Sequence, residues 1–342
     1  MTFFQKICLG SALSCLVLLG GWGILSVRAA TIENNMQQLP FKRLINMGNA
    51  LEAPKGIPWD VTLEDRYFTT IHQAGFDGVR LPVRLSDYAK DQPGYKLDEA
   101  FMKKLDAHIQ FAMKENLYVI LDMHHFNELM AEPNKYHEAL LAIWRQVAHR
   151  YRHYPSKLVF EVLNEPHQNI TAAQWNTYLA EAVAIIREEN PERWIIAGGI
   201  DYNSINGLDS LRLPDTAKMA VTFHYYEPQE FTFQEHPYLG YEKYKDVKWE
   251  GSQDERQYVA DRFAKVAFWA RNQGVPVLLG EFGVNELVPE KERYDWTNCV
   301  RVEAEKNNFS WAYWEYGSIF GAYDLKTNTW RDFLLKALFE TT

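Results

Sequence analysis

The chain has 342 residues, of which 47% are hydrophobic, 24% charged and 14% aromatic, fractions that exclude disorder, collagen-like repeats and coiled coils. Its 36 Lys and Arg against 45 Asp and Glu give a net charge of −9, which denies it the electrostatic footprint for nucleic acid and disfavours polyanionic substrates. The length admits two domains or one α/β barrel, and 11 Trp, 19 Tyr and 19 Phe suit stacking on ligands with apolar faces.

The chain opens with Lys6 and an uncharged apolar run from Ile7 to Val27, followed by Arg28 and Ala29. Small residues at Val27 and Ala29 read as a secretory signal cleaved after Ala29, which implies a secreted or periplasmic protein. The run is long enough that it could instead persist as a membrane anchor. Cleavage removes Cys8 and Cys15, leaving Cys299 alone, so no internal disulfide is expected. It also removes Lys6 and Arg28, moving the net charge from −9 to −11. The roughly 310 residues that remain, 30–342, can bury a sizeable core without cross-links.

Short apolar runs then alternate with helical patterns. Strands are predicted at Leu44–Met47, Gly78–Val83, Tyr118–Met123, Leu158–Leu163, Trp194–Ala197, Met219–Tyr225, Val277–Gly280 and Ser310–Trp314. Leu140, Leu141, Trp144, Val147, Ala148 and Tyr151 lie on one helical face. Thr171 to Gln174 forms a capping box for a helix that carries Trp175 inward and stops at Asn190-Pro191. Another helix, from about Asp254 to Asn272, ends at Gly274. Trp144 and Trp175 read as packing. No linker, repeat or second module interrupts the alternation. Strands apolar on both faces and covered by helices indicate parallel sheet. An open doubly wound sheet shares that signature, but Gly48-Asn49-Ala50-Leu51 is no glycine-rich phosphate loop. Eight strands with polar residues at their carboxyl ends favour a single-domain (β/α)8 TIM barrel.

Two glutamates stand where an apolar strand gives way to a loop: Glu165 in Asn164-Glu165-Pro166-His167 and Glu281 in Gly280-Glu281-Phe282-Gly283. Far apart in the chain, they can face one pocket of a barrel, where two carboxylates with separated pKa values can do acid/base and nucleophilic work at a sugar acetal. Either glutamate alone reads more simply as a strand-end ion-pair partner.

These motifs, with Asn46 to Glu52, Gly78-Val79-Arg80-Leu81-Pro82, Leu121-Asp122-Met123-His124-His125, Phe223-His224-Tyr225-Tyr226 and Trp311-Ala312-Tyr313-Trp314-Glu315, resemble glycoside hydrolase family 5 (cellulase family A, clan A) over Phe41 to Phe339. The resemblance implies a retaining endo-acting enzyme on β-1,4-glucan, with Glu165 as general acid/base and Glu281 as nucleophile, their carboxyl groups about 5–5.5 Å apart. It implies that Arg80 lowers the pKa of Glu281, that Tyr226 donates to Glu281, and that Asn164 binds the sugar 2-hydroxyl. His124 and His224 then serve as hydrogen-bond donors in the −1 subsite, with Trp314 as the platform beneath that sugar. His125 contacts the neighbouring sugar or supports His124. Asn49 and Glu52 match positions that bind sugar hydroxyls on the nonreducing side, although Glu52 also reads as a solvated loop acid.

The segment from Glu227 to Trp249 departs most from that pattern: Tyr238, Tyr241, Tyr244 and Trp249 could form aromatic subsites, and Phe233 stands where a histidine is expected. A metal centre is disfavoured, since His-Glu-x-x-His and His-x-His are both absent, and no cofactor is expected. The remaining alternatives are a β-1,4-mannanase or glucomannanase, a noncatalytic carbohydrate-binding barrel and a metal-dependent hydrolase. A monomer with a polysaccharide substrate and no stable protein partner is expected.

Overall fold

The structure is a computed structural model that describes residues 37–89 and 93–340. The export signal, the alternative anchor and its two cysteines therefore lie outside the described residues. Eight parallel strands close a barrel in chain order: β1 (Arg43–Asn46), β2 (Gly78–Val83), β3 (Tyr118–Met123), β4 (Leu158–Glu161), β5 (Ile195–Gly198), β6 (Met219–Tyr225), β7 (Val277–Phe282) and β8 (Ser310–Tyr313). β1 pairs with both β2 and β8, which closes the ring. The (β/α)8 expectation therefore holds.

Among the described residues, seven helices of eight or more residues cover the ring: α1 (Asp65–Gln73), α2 (Glu99–Lys114), α3 (Pro133–Tyr151), α4 (Ala172–Glu189), α5 (Gln253–Gln273), α6 (Glu290–Lys306) and α7 (Asp332–Phe339). The caps follow the sequence. Thr171 and Gln174 close a capping box on α4, Ser252 and Glu255 close another on α5, and Gly274 ends α5 at φ 71°. A short hairpin, β9 (Tyr323–Asp324) with β10 (Thr329–Trp330), precedes α7. Among the described residues, no helix is long and apolar enough to cross a membrane.

The fifth helix position departs from regular alternation. After β5 the chain makes a turn in which Asp201, Tyr202 and Asn203 all take left-handed φ values of 62°, 59° and 54°, then a single 3-10 segment over Ile205–Ser210. Three neighbouring glycines make room for this turn: a Cβ on Gly198 would stand 2.0 Å from the Asn203 side-chain amide, and one on Gly207 2.0 Å from the Ile200 carbonyl oxygen, while one on Gly199 would stand 2.6 Å from the Gly207 carbonyl carbon.

The barrel interior changes character along every strand with the two-residue period of a pleat. Its lower layer is apolar: Leu44, Ile120, Val159, Ile196, Ala220, Leu278 and Ala312, plugged from below by Leu39 and Phe41. Two residues further along, the same faces carry Asn46, Asp122, Glu161, Gly198, Thr222, Gly280 and Trp314, joined by Arg80 of β2. Parallel strands all present their carboxyl ends at one rim, so this polar layer is gathered beneath a single mouth.

Candidate active site

Arg80 is the hub of the polar layer and is fully buried. Its Nε and Nη2 donate to the two oxygens of Glu161 at 2.7 and 2.9 Å. Nη1 donates to Glu281 Oε1 at 2.8 Å and to Asn46 Oδ1 at 2.9 Å. Nη2 also reaches Asn164 Oδ1 at 2.7 Å and Asp122 Oδ2 at 3.0 Å. A bidentate guanidinium fixes its carboxylate partner in both distance and plane. Tying down Asn164 Oδ1 leaves its Nδ2 as the amide's remaining donor.

Glu165 and Glu281 converge from β4 and β7. Glu165 follows β4 with a left-handed φ of 48°, and its Oε1 lies 2.7 Å from His224 Nδ1. Glu281 is inside β7, beside His224 across a register shift, with His224 Nδ1 3.6 Å from its Oε2. The facing atoms of Glu165, His224 and Glu281 all lie within 4.8 Å of one another. Tyr226 donates its hydroxyl to Glu281 Oε2 at 2.9 Å. A cation could bridge such a cluster, but the guanidinium 2.8 Å from Glu281 already supplies positive charge and opposes a second.

The two acids differ in their electrostatic partners. Burial lifts the Glu165 carboxyl to about 7, assisted by the charge of Glu161 and opposed by Arg80 and His167. Burial also raises Glu281, against His224, Arg80 and the Tyr226 hydrogen bond, which all pull it down. Arg80 pulls the Glu281 carboxyl down as expected, but withdrawal from water outweighs that pull, and Arg80 divides its charge among three carboxylates. Guanidinium and phenol donors on its two oxygens favour the charged form of Glu281.

Burial leaves His224 neutral, its pKa lowered to about 4, and pushes His124 well below its ordinary value. His124 Nδ1 lies 2.6 Å from Asp122 Oδ2, an oxygen also held by Arg80. That shared oxygen fixes the orientation of the His124 ring. The His124 ring stacks on half-buried Trp314 at 5.5 Å and 8°. His125 is also neutral, lowered to about 2 by burial, and packs edge-on against His124 at 4.7 Å.

The first loop is arranged differently from expectation. Asn49 is part-exposed at the rim, with its side chain against Glu315. Glu52 is 1% exposed, so it is neither a solvated acid nor a rim contact for sugar. Its carboxylate turns back to accept the backbone N–H groups of Asn49 and Ala50. Trp249 is likewise corrected: it is buried beneath Arg256, because the loop after β6 folds its end onto α5. Tyr238 is 87% exposed, whereas Tyr241 and Tyr244 pack together at 5.5 Å. Phe233 packs on Tyr226 at 4.9 Å and on Tyr241 at 5.4 Å, making an apolar wall beside the tyrosine that serves Glu281.

Sequence reasoning missed Asn46, Asp122, Glu161, Asn203 and Glu315. Charged residues inside otherwise apolar strands were the available signal for Asp122 and Glu161. Asn203 had none, since its place depends on the left-handed turn. There its amide donates to the Gly199 carbonyl at 3.0 Å and accepts from the Glu165 N–H at 3.3 Å.

A family profile described as Cellulase (glycosyl hydrolase family 5) matches residues 47–319. Endoglucanase H of Acetivibrio thermocellus is 32% identical over 301 residues, which cover 86% of this chain but only 32% of that longer protein. The clostridial cellulose synthase subunit Z of Clostridioides difficile is 47% identical in its crystal structure, with a TM-score of 0.86 over 88% of this chain and 100% of that one. Thermotoga maritima Cel5A, solved with cellobiose and with mannotriose, is 40% identical at a TM-score of 0.85; the match covers 87% and 90% of this chain and 97% and 99% of those chains.

Proposed function

The chain belongs to glycosyl hydrolase family 5, and from that premise we propose a retaining endo-β-1,4-glucanase in which Glu165 is the acid/base and Glu281 the nucleophile. One observation carries the mechanism: the facing atoms of the two carboxylates lie within 4.8 Å. That gap suits direct attack on the sugar, whereas inverting enzymes hold their carboxyl groups about 6.5–9.5 Å apart to admit a water between them.

In the first step a Glu281 oxygen bonds to the anomeric carbon as the glycosidic C–O bond breaks, and the Glu165 proton passes to the departing oxygen. In the second, Glu165 takes a proton from water, the water oxygen bonds to the anomeric carbon, and the Glu281 ester bond breaks. A pKa near 7 suits Glu165 to both roles. Asn164 Nδ2 is the candidate donor to the 2-hydroxyl, and Trp314 the surface under the reacting sugar.

Endoglucanase names among the relatives, and the cellobiose complex of Cel5A, support glucan as the substrate. The mannotriose complex of Cel5A favours β-1,4-mannan as a second reading, and rates on barley glucan, carboxymethyl-cellulose and glucomannan decide between them. Likeness to a cellulose synthase subunit supports a setting beside glucan synthesis, in which case loss of the protein changes the chain length of cellulose made by the same cell. Export through residues 1–29, cleaved after Ala29, belongs to the same proposal.

The mechanism is tested by trapping. A 2-fluoro-cellobioside with a good leaving group should label Glu281, read by peptide mass spectrometry; a label elsewhere overturns the assignment.

A further inference from the structure

Tyr226 acts far from its own backbone: the hydroxyl that donates to Glu281 Oε2 at 2.9 Å stands at the end of a long side chain just after β6. Arg80 holds the other oxygen of that carboxylate at 2.8 Å, so the two contacts together fix the plane in which Glu281 lies. Burial and the charge of Glu281 push the Tyr226 phenol well above its ordinary value, which keeps it a donor. A small turn of the ring would spoil this contact, because hydrogen bonds weaken steeply as their geometry opens.

The ring is held by other rings. Phe233, from the loop after β6, packs on it at 4.9 Å and 49°, and Phe320, from the loop after β8, meets it edge-on at 6.0 Å and 63°. Phe233 and Phe320 meet each other at 6.0 Å and 87°, so the three rings close a triangle. Tilted and edge-on contacts are those that aromatic quadrupoles prefer. The two phenylalanines are anchored differently. Phe320 is buried, and its carbonyl accepts the Tyr313 hydroxyl at 2.8 Å. Phe233 is half-buried at the rim and follows the single helical turn Gln229–Thr232. That turn is tied back to the tyrosine, because the Thr232 hydroxyl donates to the Tyr226 carbonyl at 2.7 Å. It is also tied to the loop after β7, where the Asn285 backbone and side-chain N–H groups donate to the Thr232 carbonyl at 3.1 and 3.0 Å.

We propose that Phe233 is a positioning residue for the nucleophile: it wedges the Tyr226 ring against Phe320, so that the hydroxyl stays on Glu281 Oε2. The inference rests on the glucanase reading, in which Glu281 attacks the sugar, and adds a residue to the machinery that aims it. An apolar ring suits the task because it offers the phenol no competing hydrogen-bond partner. Without Phe233 the hydroxyl can turn to water, and the carboxylate loses its anchor on Oε2.

The experiment is a double-mutant cycle on kcat/KM for an aryl β-cellobioside, with Phe233→Ala, Tyr226→Phe and the two combined. Tyr226→Phe should lower kcat/KM by about tenfold, the contribution of one hydrogen bond to a charged group. Phe233→Ala should lower it by a similar factor. The combined variant should be no worse than Tyr226→Phe alone, because the hydroxyl that Phe233 positions is already gone; independent effects would multiply to about a hundredfold. Phe233→Leu, which keeps apolar bulk against the ring, should recover most of the loss. Losses that multiply in the combined variant mark a general cost to the fold and overturn the positioning role, and so does wild-type kcat/KM in either single variant. Absence of aryl release by the wild-type protein would instead overturn the glucanase reading itself.

Discussion

At the scale of single residues, the site is governed by one cation serving several acids. Glu161 has no place in the bond-making steps, yet it takes the bidentate face of Arg80. Its charge also raises Glu165. Glu161→Gln should therefore lower the pKa of Glu165 and return more of the guanidinium's charge to Glu281. Both limbs of the bell-shaped kcat/KM profile should then move to lower pH, by about one unit. A purely structural role would reduce the rate without moving either limb, so the pH profile separates the two. Glu165→Gln is a different case: it should reduce kcat on unactivated glucans by about 10²–10⁴-fold and abolish the basic limb, because no titrating acid remains.

At the scale of elements, the β5 turn supports the acid from behind. Asn203 accepts the Glu165 N–H, and the left-handed φ values of both residues persist only where the surroundings hold them. Gly198→Ala would press a methyl into the Asn203 amide, from which a Cβ would be 2.0 Å away. It should destabilise by about 1–3 kcal/mol in urea unfolding and lower kcat disproportionately, since the displaced amide is the one that seats Glu165. This turn was illegible in the sequence: left-handed backbone leaves no hydrophobic period, and Asp201-Tyr202-Asn203 carries no glycine to announce it. β2, β3 and β6, by contrast, have the bounds their sequence predicts, since runs such as Gly78–Val83 are uniformly buried. β7 runs two residues beyond its reading because Glu281 and Phe282 keep their pairing with His224 and Tyr225. Most of the rim was legible as motifs. The layer beneath it was not, because Asp122 and Glu161 show their meaning only once the interior face of each strand is known.

At the scale of the whole molecule, buried acids and buried histidines set opposing limits on stability. Burial raises Glu52, Asp122 and Glu165 to about 7 and Glu315 to about 8. Each is protonated in the fold at a pH where the unfolded chain has already released its proton. The stability they contribute is complete below the ordinary carboxylate range and is lost as pH rises toward 8. His124, His125 and His224 act in the opposite sense. Held neutral by burial, they contribute stability above about 6.5 and lose it as pH falls, since the unfolded chain then binds protons that the fold refuses. The two sets counteract each other between about 4.5 and 6.5, and only the acids act between 6.5 and 8. Unfolding free energy should therefore be greatest on the mildly acidic side of neutrality and fall on the order of several kcal/mol by pH 9. Glu315→Gln supplies the check. Its carboxyl is buried beside Gly48 and Trp314, and an amide there cannot ionise. Chemical denaturation at pH 6 and pH 9 should show a smaller alkaline loss in this variant than in the wild-type protein. An unchanged loss would mean that Glu315 is not a source of the alkaline limit, and that Glu52, Asp122 and Glu165 carry it.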